Sequence, residues 1–116
     1  MKCPYCKKEI ETEYQEIKYK GKTYRIYKWE SKPFKDFSIP KGFNWCPYID
    51  FLELINKKII ELEEYPVEYF TEQQFELNKE KYPLSRFYLN WYSYLNSDNR
   101  YLDNSNGYGR VVLKKK

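Results

Sequence analysis

Cys46-Pro47-Tyr48-Ile49-Asp50 echoes Cys3-Pro4-Tyr5-Cys6, and reading the two stretches together sets the expected fold. Cys3 and Cys6, two thiols three apart on a tight turn, make half of a tetrahedral zinc cage, and Cys46 offers a third sulfur. The position three after Cys46 is Ile49, which cannot ligate. Asp50 follows one helical turn after Cys46, where a carboxylate reaches a metal near a helix start. The expected metal set is therefore Cys3, Cys6, Cys46 and Asp50, with zinc as the cofactor. The alternatives are a site completed by water, a ligand from a second chain, which would make a dimer, or a degenerate site that has lost its metal, and the helix dipole accounts for Asp50 just as well.

Outward from Cys46 the sequence turns helical. Pro47 suits the first helical position, and Tyr48, Leu52, Ile55, Ile59 and Leu62 recur on one face, which predicts a helix from Pro47 to about Glu64, closed by Tyr65-Pro66. Thr71 with Gln74 three residues on reads as a capping box opening a second helix to about Lys81. The aromatic-dense stretch from Leu84 to about Leu95 predicts a third. Tyr101-Leu102 and Val111-Val112, separated by a polar segment, predict a terminal hairpin.

On the other side of Cys46, the stretch from Tyr14 to Trp29 alternates aromatic or branched residues with polar ones around Gly21 and predicts a β-hairpin. Pro33, Pro40 and Gly42 interrupt the next segment, whose Phe34, Phe37, Ile39 and Phe43 predict a loop packed inward. The expected fold class is α+β in a single domain. A zinc knuckle and β-hairpin (1–46) precede a helical part of three helices and a C-terminal hairpin (47–116), the latter in winged-helix order.

Knuckle, hairpin, then helix, carried by Cys3, Cys6, Cys46 and Pro47, resembles the treble-clef and zinc-ribbon class of zinc-binding domains over roughly the first sixty residues. The resemblance implies two ligands from the knuckle and two from the helix start, and Ile49 breaks that pattern. Cys3-Pro4-Tyr5-Cys6 also resembles the active-site tetrad of glutaredoxins, which implies a thiol-disulfide oxidoreductase with Cys3 attacking and Cys6 resolving. Here only two residues precede Cys3 and a hairpin comes after it, where that family places a strand before the tetrad and a helix after it.

Composition narrows function by exclusion. The chain of 116 residues has no histidine, which removes histidine general bases, Ser-His and Cys-His dyads and Cys2His2 sites. It has no alanine, and Lys, Glu, Tyr, Ile and Asn abound, as an AT-rich coding sequence would produce. Three cysteines without a leader-like start point to metal or thiol chemistry in the cytoplasm, and no apolar run is long enough to cross a bilayer. A net charge of +4 is a mild excess rather than a strongly basic stripe.

The expected function is a small, non-enzymatic, zinc-stabilised binding protein whose partner is nucleic acid. Lys18, Lys20, Lys22, Tyr24 and Arg25 interleave basic and aromatic residues on the hairpin, as single-strand binders do. Arg86 and Asn90 lie in the recognition position of the third helix, and Arg110 would contact phosphate. No small-molecule substrate and no membrane is expected. The competing reading is a protein-binding accessory or inhibitor of a mobile element acting on a host protein, because surplus Trp and Tyr also enrich protein interfaces.

Overall fold

Tyr14–Tyr19 (β1) and Lys22–Lys28 (β2) pair antiparallel across Lys20-Gly21 in the computed structural model, which describes residues 14–73, 83–89, 95–100 and 107–116. Both turn residues take positive φ, 52° at Lys20 and 74° at Gly21, so the two-residue loop matches the right-handed strand twist. The expected hairpin is present. The loop after it also packs inward as expected at Phe34, which sits in a 3-10 turn (Phe34–Asp36) and is buried, and at Phe43, which opens β3 (Phe43–Trp45). Ile39 instead faces solvent.

The expected three-helix segment gives way largely to strands. One α-helix, α1 (Tyr48–Asn56), is found among the described residues, and it stops well short of Glu64. Lys58 turns into the left-handed region at φ 58°, and Ile59 N–H donates to Leu54 O, closing the helix before the branched pair Ile59-Ile60. The buried face is also rotated from the expected one. Phe51 and Leu54 are fully covered, while Tyr48, Leu52 and Ile55 are only half-buried.

The expected second helix begins inside a strand, β4 (Glu68–Glu72), because Tyr69, Phe70 and Thr71 pack well on a pleated surface; the rest of it, from residue 74 to about 81, lies outside the described residues. The expected third helix is a strand over its first half, β5 (Leu84–Leu89), and its last residue opens β6 (Leu95–Arg100), which pairs antiparallel with β5; residues 90–94 lie outside the described residues. Aromatics on several faces suggest a helix, but a strand covered on both faces produces the same pattern. With Leu84–Leu89 a strand where the recognition helix was expected, the winged-helix order and the three-helix α+β class are overturned in favour of a predominantly β fold. Of the terminal hairpin, Val111-Val112 lie in β7 (Gly109–Lys115), and Tyr101-Leu102 fall outside the described residues.

The strands form one mixed sheet ordered β1-β2-β7-β4-β5-β6, so residues from both halves of the chain share one core. β7 is its axis. It pairs antiparallel with β2 on one side; on the other it pairs parallel with β4 through Gly109–Val111 and antiparallel with β3 through Leu113–Lys115. Val111, Val112 and Leu113 have no exposed surface, as befits a strand buried on both faces.

On one face α1 packs Phe51 and Leu54 against Ile26, Val112, Tyr69 and Phe87, with the Phe51 and Phe87 rings 5.0 Å apart and edge-on. On the other, Phe34 closes over Phe70 at 4.2 Å beside Tyr27, Phe43, Val111 and Leu113. Each such side chain, fully buried, contributes about 1.5–3 kcal/mol relative to exposure.

Candidate functional site

Strand directions decide which charged residues meet. β1 ends where β2 begins, β7 runs antiparallel to β2, and β3 runs antiparallel to β7, so one end of the sheet collects the end of β1 and β7 and the start of β2 and β3. That end carries Lys18, Lys20, Lys22, Lys41, Lys114, Lys115 and Lys116. Lys116 N–H donates to Gly42 O at 2.8 Å, which ties the end of β7 to the turn bearing Lys41. Neighbouring strands lie about 4.8 Å apart, so lysines from four adjacent strands form a row about 15 Å long.

Two carboxylates from α1 reach this end. Glu53 accepts from the Tyr19 hydroxyl at 2.9 Å and Lys20 Nζ at 3.4 Å, and these bonds lower its pKa. Asp50 Oδ2 accepts from the Tyr24 hydroxyl at 3.2 Å and Lys114 Nζ at 2.5 Å. The Asp50 bond raises the Lys114 pKa, and the Glu53 bond raises that of Lys20, so both ammonium groups stay charged. The other lysines of the row are exposed, with the Lys18 side chain 74% accessible even though it lies 3.6 Å from Glu16. An open cleft of about 570 Å³ adjoins them, lined by Asn44, Pro47, Glu72 and Lys114–Lys116 with Trp45.

The expected binding residues therefore divide. Lys18, Lys20 and Lys22 lie in the row. Tyr24 does not present a ring for stacking: it is buried, its hydroxyl is held by Asp50, and burial pushes its pKa well above the usual tyrosine value. Arg25 is bonded to Glu16 and the Tyr27 hydroxyl and lies 4.4 Å from the Phe43 ring. Arg86, on β5 rather than a helix, is clamped by Glu68 at 2.8 Å and by Asp98. Arg110 bonds Glu30 at 2.8 Å and Glu63 at 3.2 Å at the opposite end of the sheet. Asn90 lies outside the described residues. Lys41, missed from sequence, has no local signal; only the β3–β7 pairing brings it to the row.

The expected metal set is only half within view, since Cys3 and Cys6 lie outside the described residues. Cys46 is fully buried where β4 diverges from β7. Its N–H donates to Val112 O, and its carbonyl accepts from Glu72 N–H, both at 2.9 Å. The thiol donates to Pro47 O at 3.4 Å, and burial, then the charge of Asp50, pushes its pKa up. Asp50 is held by Tyr24 and Lys114, an arrangement that fits a helix-to-sheet brace better than a metal ligand. Among the described residues no group of three metal-ligating side chains comes together.

Among the described residues, the fold and site define a mixed sheet covered by one helix, with a lysine row along one end of the sheet. No family model, curated protein or solved structure matches the chain. Among the described residues, no helix is long and apolar enough to cross a membrane.

Proposed function

We propose that the protein binds nucleic acid without catalysis, through phosphate contacts made by the lysine row. The observation that carries this reading is the convergence of four strands that sets seven lysines along one end of the sheet, with Lys22, Lys41, Lys115 and Lys116 exposed, while Arg86 and Arg110 are held by carboxylates away from it. Exposed ammonium groups on short, braced strands neutralise phosphates and release counterions, which gives affinity without reading sequence. With Tyr24 buried, the row lacks the stacking ring expected there, which favours contact with the backbone over contact with the bases.

Titration of a labelled oligonucleotide at several salt concentrations tests it. With four to six phosphate contacts, affinity should fall about 100-fold or more between roughly 50 and 200 mM salt, and different sequences of equal length should bind alike. Salt-independent binding, or none at low salt, refutes the reading. Zinc held by Cys3, Cys6 and Cys46 belongs to the same proposal as a structural element: the purified protein should contain zinc, and a chelator should lower its Tm.

A further inference from the structure

Two surfaces flanking α1 complement each other. On one side Ile49, 61% exposed, and Leu52 lie beside Lys20 and Lys57, with Glu53 between them already bonded to Lys20 and Tyr19. On the other side, an open cleft of about 1080 Å³ has an apolar lining of Ile55, Ile60, Leu62, Leu89 and Leu95, the last 41% exposed. Glu61, Glu63 and Glu64 rim that cleft, with Lys58 at the margin nearest the helix. Glu63 is partly engaged by Arg110, which leaves Glu61 and Glu64 as the carboxylates facing outward.

An apolar anchor flanked by lysines thus neighbours an apolar cleft flanked by glutamates, on one helix. The carboxylate rim disfavours phosphate or an anionic lipid surface as the occupant of the cleft, and the exposed Ile49 matches it in both apolarity and surrounding charge. A patch that carries both halves of a complementary pair satisfies the requirement of a two-fold interface, in which each copy gives and receives the same contact. We infer that the protein forms a two-fold homodimer in which Ile49 and Leu52 of each copy enter the other copy's Ile55–Leu95 cleft, with Lys57 facing Glu61 and Glu64. This surface meets the lysine row only at Lys20, and the inference does not rest on nucleic-acid binding.

Sedimentation equilibrium of the full chain tests it. The mass should rise from 14.4 kDa toward twice that value as concentration increases, over about 1–100 μM, the range expected of a modest interface. Ile49→Glu, at an exposed site, should weaken association by tenfold or more while leaving thermal unfolding unchanged. Lys57→Glu alone should weaken it, and so should Glu61→Lys with Glu64→Lys. The three changes combined in one chain should restore it, because each copy supplies both sides. A wild-type mass fixed at one copy, growth past two copies, Ile49→Glu associating as wild type, or no rescue by the combined swap would each overturn the two-fold dimer.

Discussion

Where β2 finishes and β7 begins, Arg110 is only 12% exposed and lies between Glu30 and Glu63; where β7 finishes, Lys115 and Lys116 are exposed and only Lys114 is braced, by Asp50. The contrast extends across the molecule. Every arginine in the chain is paired with a carboxylate, Arg25 with Glu16, Arg86 with Glu68 and Asp98, Arg100 with Asp98, and Arg110 with Glu30 and Glu63. Guanidinium, weakly hydrated and fork-shaped, suits half-buried pairs, while the strongly hydrated ammonium of lysine stays in water. A net charge of +4 therefore understates the basic end, because positive charge at the other end is neutralised internally.

The sharpest way to break this comparison is at Arg86. Its side chain is 14% exposed and its partner Glu68 13% exposed, so Arg86→Met removes the cation that holds a nearly buried carboxylate. Stability should fall by about 3 kcal/mol, read by urea denaturation, with oligonucleotide affinity per folded molecule unchanged. A loss of affinity with stability intact would reverse the roles assigned to arginine and lysine.

The complementary change acts on the exposed lysines. Lys22→Glu, Lys115→Glu and Lys116→Glu together should lower low-salt affinity at least tenfold and reduce the salt slope by about 2–3, one for each phosphate no longer neutralised. These positions are exposed, so unfolding should move by no more than about 0.5 kcal/mol each.

A smaller effect comes from pH. Burial raises the pKa of the Tyr24 and Tyr69 phenols above their unfolded values, so folding favours their protonated forms. The stability they contribute is complete below the unfolded value, about 10, and is lost as pH rises beyond it. Each group should steepen the decline by up to about 1.4 kcal/mol per pH unit. Tyr24→Phe, which removes one titrating phenol, should flatten the alkaline limb of a Tm-against-pH curve; an unchanged slope would mean that Tyr24 titrates normally.

Local chemistry carried the hairpin and the start of the helix. A glycine between alternating residues specified the Lys20-Gly21 turn, and Pro47 with Asp50 close behind marked where α1 begins. The helix end was hidden, because Ile59 and Leu62 continue the periodic pattern while Lys58 takes a left-handed conformation without glycine. At Leu84–Leu89 the aromatic density was legible, but its meaning was not: whether it wraps a helix or covers both faces of a strand depends on β4 and β6 alongside it. The binding site was half legible. Lys18, Lys20 and Lys22 stand together along the chain, whereas Lys41 and Lys114–Lys116 join them only through pairings that span most of its length.

By itself the amino-acid sequence determined what short-range physics can specify: a tight turn at a glycine, a helix start, and a chain without histidine chemistry. The tertiary structure alone decided that Gly109–Lys115 is the axis of the sheet, that Cys46 lies buried where β4 and β7 diverge, and that lysines from distant segments form one row. Those outcomes depend on strand order and direction, set by which faces can be buried together, and neighbouring residues in the chain carry no information about that.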